Sequence, residues 1–273
     1  MPPQNLLQGK TAIITGGTTG IGRAIALEYL RQGANVVVNH LGLERDAPHL
    51  ESLLSEASTL SSSSSATIGE LDHLPGDISD PPTGSALVSH AVSKFGRLDI
   101  CVSNAGICEF AEFLSITPDL FSRTVATNLS GAFHVIQAAA KQMASQHEKD
   151  PGSRGSIIGM SSISALVGGE FQAHYCPTKS GVTSLIQSCA IALGKYGIRC
   201  NALLPGTIKT QLNEADLADD AKRKYMEGRI PLGRTGIPAD MAGPAVFLAC
   251  DELSGYVNGA QLLVDGGLFV NLQ

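Results

Sequence analysis

The sequence predicts a single α/β domain built on a doubly wound parallel β-sheet flanked by helices. Short apolar, β-branched runs alternate with amphipathic helical patterns from one end of the 273-residue chain to the other. No linker divides the chain, no internal repeat is evident, and the length suits one large α/β unit. These three observations favour one domain over residues 1–273.

The strands are predicted from continuous apolar runs, because strands buried on both faces of a parallel sheet lack polar alternation. Such runs occupy residues 11–15, 35–38, 100–103, 156–160, 199–204 and 261–264, and a further strand ends near Asp77. Helical patterns occupy residues 22–32, 47–57, 84–95, 117–145, 175–196 and 240–249. The serine-rich stretch 58–65 is expected to be a solvated surface loop.

The composition excludes several classes of protein. The formal net charge is −6 and there is no long basic run, which argues against nucleic-acid binding. No apolar run approaches the ~20 residues of a membrane span, and residues 1–10 lack a signal-peptide pattern, so we expect a cytoplasmic protein without a membrane partner. The six cysteines form no CxxC pair and the seven histidines no HExxH motif, so no metal site is expected.

A glycine-rich turn follows the first predicted strand and opens the first predicted helix. It reads Thr15-Gly16-Gly17-Thr18-Thr19-Gly20-Ile21-Gly22. Glycines let the backbone pass within contact distance of a diphosphate, which side chains would block, and Gly22 lets the helix pack on the sheet. Free N–H groups at the helix start then meet the negative charge. This strand–turn–helix context indicates a dinucleotide-binding turn.

A tyrosine and a lysine, Tyr175 and Lys179, lie four residues apart on one face of a predicted helix. Pro177 between them requires the helix to begin close to Tyr175, since the first turn tolerates proline. A free tyrosine titrates near ~10 and is a poor base at neutral pH. A nearby ammonium favours the phenolate. The pair therefore suits proton transfer to or from a hydroxyl group.

Together these motifs resemble the short-chain dehydrogenase/reductase family, whose glycine turn has the spacing TGxxxGxG, and the resemblance covers essentially the whole chain. It implies a Rossmann-type fold and a homotetrameric NAD(P)-dependent oxidoreductase. It also implies four catalytic residues. Tyr175 would be the base, assisted by Lys179, while Ser162 holds the substrate oxygen and Asn128 anchors a water leading to the lysine.

The same resemblance implies the cofactor-binding residues. Those near the diphosphate are Gly16, Thr18, Thr19, Gly20, Ile21 and Gly22, those near the adenosine are Asn39, His40, Asp77 and Ile78, and those toward the nicotinamide are Asn104, Ala105, Gly106, Tyr175, Lys179, Pro205, Gly206, Ile208 and Thr210. Many NAD-specific members carry Asp where this chain has Asn39, and NADP-dependent relatives usually place Arg or Lys in the glycine turn. Arg45 lies a few residues beyond the strand. We expect NAD, with use of NADP left open.

Several stretches of the chain resemble the L-rhamnose 1-dehydrogenase branch of the family, notably residues 161–169, 188–194, 196–201 and 262–273. This resemblance implies oxidation of the anomeric hydroxyl of L-rhamnose to a lactone. Tyr175 would remove the C1 hydroxyl proton while hydride passes to the nicotinamide. Ser162, Ser164, Gln172 and Tyr175 are the expected sugar contacts, because polar side chains suit several hydroxyls.

Two alternatives stay open. Another substrate of the same enzyme class would be a 3-oxoacyl thioester, or a different sugar or polyol. A protein of another class would keep the fold for cofactor sensing without catalysis, although such proteins typically lose the tyrosine or the lysine. Cys108, Cys176 and His174 flank the expected site and are interpreted as structural, and Phe269 is assigned to a subunit interface.

Overall fold

A computed structural model describes residues 5–63, 67–150 and 152–271. Within these residues the strands form one parallel sheet in the order β3-β2-β1-β4-β5-β6-β7. The strands are β1 (Thr11–Thr15), β2 (Asn35–His40), β3 (Leu71–Pro75), β4 (Ile100–Ser103), β5 (Gly155–Met160), β6 (Ile198–Pro205) and β7 (Gln261–Val264). The predicted doubly wound parallel sheet is confirmed.

Helices cover both faces of this sheet. They are α1 (Gly20–Arg31), α2 (Ala47–Ser63), α3 (Pro81–Phe95), α4 (Pro118–Val125), α5 (Ala132–Ser145), α6 (Cys176–Leu193), α7 (Glu214–Leu217), α8 (Asp220–Arg229), α9 (Ala242–Ala249) and α10 (Asp251–Ser254). Helices α1, α2 and α9 share one buried apolar cluster, and α3, α5 and α6 share the other. The described part of the chain has no helix with the length and apolarity to cross a membrane.

Side-chain alternation along each strand explains the two clusters. Ile14 of β1 is fully buried against the α1 side, whereas its neighbour Ile13 is fully buried against the α3 and α5 side. Successive strand residues point to opposite faces, so a strand covered on both faces is apolar throughout. The connections run to opposite sides of β1 and β4, and this reversal opens a crevice at the carboxyl ends of these two strands.

The prediction of a loop at residues 58–65 is wrong over the described part of that stretch, because α2 continues to Ser63. Leu53, Ala57 and Leu60 form an apolar stripe that packs on the α1 cluster and continues the helical period past the expected end. Two of the hydroxyls bond inside the helix, Thr59 Oγ1 donating to Ser55 O at 3.0 Å and Ser61 Oγ to Ala57 O at 3.2 Å. Residues 64 and 65 lie outside the described part of the chain.

The long helix expected at residues 117–145 is interrupted. A π-helical segment, Ala126–Gly131, separates α4 from α5. The wider turn moves the register of the helix by part of a turn, and such segments are frequent at functional sites. Asn128 lies inside it and is buried. At the other expected site helix, Tyr175 is the N-cap of α6 and Pro177 stands in its first turn, as the proline required.

Candidate active site

The glycine turn lies at the carboxyl end of β1, against the start of α1. Gly16 and Gly20 have positive φ angles of 61° and 53°, which side chains rarely adopt. A Cβ on Gly22 would stand 2.3 Å from Gly16 O, so only glycine permits this approach. The turn therefore offers bare backbone at a helix start, the arrangement that holds a diphosphate.

Thr15 and Asn104 join this turn to the one after β4. The Thr15 hydroxyl accepts hydrogen bonds from the backbone N–H groups of Asn104 and Ala105, both at 2.9 Å. Asn104 Nδ2 donates in return to Thr15 O at 2.9 Å and to Gly16 O at 3.2 Å. The Asn104 side chain thus braces the protein, and a contact to the cofactor stays a prediction. Thr15 was not predicted, although a hydroxyl directly before the glycines was a usable signal.

The adenosine end of the expected cofactor site lies where β2 and β3 finish. Asn39 is buried, and its amide nitrogen donates to Gly76 O at 2.9 Å and to Leu74 O at 3.3 Å. Asp77 is exposed, and its carboxylate accepts from the backbone and hydroxyl of Ser79, both at 2.8 Å. Asn39 therefore spends its donor on the protein. No hydrogen bond to its Oδ1 occurs among the described residues, so this acceptor faces the ligand side.

Two other adenosine-side residues differ in exposure. His40 ends β2 half-buried, with its ring against His73. The Arg45 side chain is 78% exposed, and its Nε lies 3.9 Å from Asp46. Arg45 is therefore a surface residue with an acidic neighbour in this structure.

The opposite wall of the crevice follows β6. A Cβ on Gly206 would stand 2.6 Å from Asp265 Cβ, which explains the glycine after Pro205. Asn213 accepts from Thr210 N at 2.9 Å and donates to Ile208 O at 3.0 Å, and sequence reasoning missed this brace. A Cβ on Gly20 would stand 3.4 Å from Thr210 Cγ2. The segment after β6 therefore faces the glycine turn across the expected cofactor site.

Ser162, Tyr175 and Lys179 are brought together at the carboxyl end of β5. The Ser162 hydroxyl lies close enough to the Tyr175 phenol to favour its ionised form. Lys179 is buried one turn along α6, and its Nζ lies 5.5 Å from the centre of the Tyr175 ring. The ammonium donates to Met160 O, at the end of β5, at 2.9 Å. Three of the four expected catalytic residues thus share one face of the crevice.

Burial controls the charge of both titrating groups. It raises the pKa of the Tyr175 phenol, and the neighbouring Ser162 hydroxyl opposes this only in part. It lowers the pKa of Lys179 to about 8. Lys179 Nζ bonds to Met160 O rather than to the phenol, so the expected lowering of the tyrosine pKa, by the lysine together with an oxidised nicotinamide, stays a prediction. Added positive charge in the crevice would favour the phenolate.

Asn128, the fourth expected catalytic residue, pairs with backbone. Its Oδ1 accepts from Ile107 N and its Nδ2 donates to Ile107 O, both at 2.8 Å. Nδ2 also lies 3.3 Å from Thr178 Oγ1, which donates to Tyr175 O at 2.7 Å. Asn128 therefore fastens the segment after Gly106 to the start of α6. The water relay expected of it stays a prediction.

Two of the four expected sugar contacts, Ser164 and Gln172, are joined by hydrogen bonds between side chains. Ser164 Oγ donates to Gln172 Oε1 at 3.5 Å, and Gln172 Nε2 donates to Cys108 Sγ at 3.4 Å. A Cβ on Gly169 would stand 2.4 Å from Gln172 Oε1, so the glycine makes room for this rotamer. The charge of a Cys108 thiolate would act on both Tyr175 and Lys179. Cys108, interpreted as structural from the sequence, lies beside the catalytic pair.

Other polar groups near the site make no metal centre. In residues 5–63, 67–150 and 152–271, no three His, Cys, Asp or Glu side chains are grouped to hold a metal ion. His174 is fully buried, and neither ring nitrogen has a hydrogen-bond partner among the described residues. Its place under the surface agrees with a structural interpretation rather than with a solvent-facing base.

Comparison with known proteins agrees with this geometry. The family model described as enoyl-(acyl carrier protein) reductase matches residues 16–269. An L-rhamnose-1-dehydrogenase of Scheffersomyces stipitis is 63% identical over 98% of this chain and 99% of its own. An L-rhamnose 1-dehydrogenase (NAD(P)(+)) of Sphingomonas sp. is 53% identical over 98% of this chain and 99% of its own.

The fold agrees as well. The crystal structure of a short-chain type dehydrogenase/reductase from Mycobacterium marinum superposes with a TM-score of 0.84 at 33% identity, covering 96% of each chain. The match of the family model, the two full-length relatives and the shared architecture confirm the resemblance stated from the motifs. The chain belongs to the short-chain dehydrogenase/reductase family.

Proposed function

We propose that the protein is an NAD(P)-dependent L-rhamnose 1-dehydrogenase that oxidises the anomeric hydroxyl of the sugar to a lactone. One observation carries the proposal. The Ser162–Tyr175–Lys179 arrangement stands in a chain that is 63% identical, over 98% of its length, to an L-rhamnose-1-dehydrogenase. Two further full-length relatives with the same printed activity, at 53% identity, support the substrate class.

The residues present suit a nicotinamide dinucleotide. The turn has to remain bare backbone, since a Cβ on Gly17 would stand 2.5 Å from Val38 Cγ1 and one on Gly22 2.3 Å from Gly16 O. In the proposal the glycine turn holds the diphosphate, the end of β2 the adenosine ribose, and Lys179 the nicotinamide ribose. The oxidised nicotinamide, when bound, supplies the hydride acceptor.

The chemical step assigns one role to each side chain. Tyr175, as phenolate, takes the proton of the C1 hydroxyl, and the C1–O bond gains double-bond character as the C1 hydrogen leaves with its electron pair. Ser162 donates a hydrogen bond to the oxygen where charge develops. The Lys179 ammonium favours the phenolate, and Asn128 holds the start of α6 in place through Thr178.

The sugar would lie against the chain of Ser164, Gln172 and Cys108. The hydroxyl and amide suit several sugar hydroxyls better than the apolar chain of a 3-oxoacyl thioester. The thioester alternative is kept because a 3-oxoacyl-[acyl-carrier-protein] reductase FabG of Staphylococcus aureus is 35% identical over 96% of this chain. It would be run in the reductive direction with NADPH.

The proposed test follows absorbance at the reduced-nicotinamide band. L-Rhamnose, L-lyxose, L-mannose and D-glucose are each offered with NAD and with NADP, and a 3-oxoacyl thioester is offered with NADPH. We expect fastest reduction with L-rhamnose. If no sugar reduces the nicotinamide and the thioester is turned over, the thioester replaces L-rhamnose as the proposed substrate. Silence in all arms, with cofactor still bound, would favour the non-enzymatic alternative.

The assembly and the location belong to the same proposal. We infer a cytoplasmic homotetramer, by analogy with the family. Exposed aromatic and aliphatic side chains support an assembly, among them Phe113, Leu114 and Tyr256, which are 70%, 95% and 105% exposed. Light scattering that gives a monomer at working concentration would overturn the tetramer.

A further inference from the structure

Two histidine rings meet at the adenosine end of the crevice. His40 is the last residue of β2, directly after Asn39, whose carbonyl oxygen accepts from Gly17 N at 3.0 Å. His40 is therefore the residue directly after the backbone contact between β2 and the glycine turn. Its Nε2 lies 3.2 Å from Nδ1 of His73, on the neighbouring strand β3, and the ring centres are 5.3 Å apart.

The hydrogen bonds determine which nitrogen carries each proton. The backbone N–H of Gly42 can only donate, and it points at His40 Nδ1 at 3.1 Å. His40 Nδ1 is therefore bare, its Nε2 carries the hydrogen, and that hydrogen is donated to a bare His73 Nδ1. Both rings are neutral. A proton added to His40 Nδ1 or to His73 Nδ1 breaks one of these two bonds and leaves a cation at the end of β2.

The charged groups near the pair come from the turn after β2. They are Glu44, Arg45 and Asp46. Asp72 of β3 alternates with His73 and lies on the other face of the sheet, where His90 and Lys94 of α3 contact it at 2.9 and 3.4 Å. Burial and the neighbouring His73 lower the pKa of His40, and Asp46 opposes them in part. His40 is therefore neutral at pH 7 and takes up a proton only in acid.

The neutral arrangement suits a ribose hydroxyl. Asn39 has its amide nitrogen bound to carbonyl oxygens of Gly76 and Leu74, so it presents an acceptor that a 2′-hydroxyl can satisfy. A 2′-phosphate is also an acceptor, so it finds no partner in Asn39. Thr18 and Thr19 add no charge, and Arg45 is directed to solvent beside Asp46.

We propose that the protonation state of the His40–His73 pair sets the choice between the two dinucleotides, the neutral pair favouring NAD and the protonated pair favouring the 2′-phosphate of NADP. This inference rests on the proposed dehydrogenase function. The structure thereby assigns a use to two histidines on neighbouring strands whose pairing is not evident from their separation in sequence.

The test titrates NADH and NADPH into the full-length protein by nicotinamide fluorescence, from pH 8.0 down to pH 5.5, and needs no turnover. We expect the affinity ratio to move toward NADPH by about threefold to fivefold, the scale of one partly exposed charge pair. A phosphate monoester gains its second proton near ~6. That gain removes charge from NADPH itself and would move the ratio the opposite way.

Two variants remove the titration but keep the hydrogen bond. His73→Asn retains an acceptor near the Nδ1 position, and His40→Gln retains a donor near the Nε2 position. Both are expected to lose the acid-dependent rise of NADPH affinity. His90→Gln is the matched control, because it removes a neighbouring histidine that binds Asp72 rather than the pair, and it should keep the rise.

The outcomes separate the two proposals. A ratio that stays flat or falls in acid in the wild-type protein overturns the histidine switch and leaves the dehydrogenase standing. Failure of both dinucleotides to bind at every pH overturns the dehydrogenase and the switch with it. If a variant does not fold, nitrogen NMR of the wild-type rings decides, because a proton on His40 Nδ1 at pH 8 contradicts the assigned hydrogen bonds.

Discussion

The Lys179 ammonium nitrogen lies 5.5 Å from the centre of the Tyr175 ring but donates its hydrogen bond to Met160 O, at 2.9 Å. The lysine thus makes no direct hydrogen bond to the phenol. Burial disfavours a charge on either group, raising the pKa of Tyr175 and lowering that of Lys179 to about 8. An isolated ammonium or phenolate is therefore costly in this crevice.

Removing the phenol should separate binding from chemistry. We expect Tyr175→Phe to bind NADH as the wild type does and to turn over L-rhamnose at least ~100-fold more slowly, the usual scale for losing an acid–base group. Cofactor fluorescence and initial rates measure the two effects. Tyr196→Phe, on an exposed ring after α6, is the control and should keep its rate. If the Tyr175→Phe variant turned over L-rhamnose at the wild-type rate, the proposed role of Tyr175 as the base would be wrong.

Lys179 should cost stability in neutral solution. Its pKa falls from 10.5 unfolded to about 8 folded, so the folded state holds the proton less tightly. The penalty is complete below pH 8, declines as the pH rises and disappears above pH 10.5. We expect Lys179→Met to raise the Tm of the cofactor-free protein by about 2–5 °C at pH 7 and by little at pH 10.5.

A matched lysine controls that experiment. Lys195 Nζ also stands over a tyrosine ring, 5.1 Å from the centre of Tyr196, but it is exposed. Lys195→Met should change the Tm by less than about 1 °C at either pH. A fall in Tm for Lys179→Met at pH 7, larger than that of the control, would mean that the bond to Met160 O outweighs the burial of charge.

A carboxylate in place of Asn39 should destabilise the end of β2. The Asn39 amide donates to Gly76 O at 2.9 Å, whereas Asp offers the same carbonyl only a repulsive oxygen. We expect Asn39→Asp to lose about 2–3 kcal/mol of unfolding free energy and to bind NADPH at least ~10-fold more weakly. Asn35→Asp is the control on the same strand, since Asn35 Oδ1 accepts from Glu70 N and Asp keeps that bond. Equal stability of both variants would contradict the assigned amide orientation.

The close approach at Gly22 should be intolerant of a single methyl group. A Cβ there would stand 2.3 Å from Gly16 O and 2.6 Å from Asn104 Nδ2, so Gly22→Ala must displace the glycine turn. We expect NADH affinity to fall at least ~10-fold and the Tm to drop. Gly243→Ala, in α9, meets nothing within 4 Å and should leave both unchanged or raise the Tm slightly. Normal NADH binding by the Gly22→Ala variant would contradict the proposal that this turn holds the diphosphate.

Local sequence was a good guide where one element alone decides the outcome. The apolar runs became the strands, and Pro177 correctly required α6 to begin at Tyr175. It was a poor guide where composition and packing disagree. Serine favours loops, yet α2 runs to Ser63 because Leu60 continues the buried stripe begun by Leu53 and Ala57.

The candidate site shows the same division. The Tyr175–Lys179 spacing and the family resemblance were enough to select Asn128, Ser162, Tyr175 and Lys179 as candidates. They said nothing of the π-helical segment that turns Asn128 toward Ile107, since no local pattern marks it. Nor did they show that Cys108 accepts a hydrogen bond from Gln172.

By itself, the sequence determined the fold class, the family and the candidate catalytic side chains, because hydrophobic periodicity and motif spacing are local properties of the chain. Only the tertiary structure decided how those side chains are used. The Asn104 side chain joins two turns, the Asn39 amide nitrogen donates to a carbonyl oxygen of the protein, and the His40 ring contacts the His73 ring on the neighbouring strand. These hydrogen bonds join residues that are distant in sequence, and they form only once the sheet aligns the carboxyl ends of its strands.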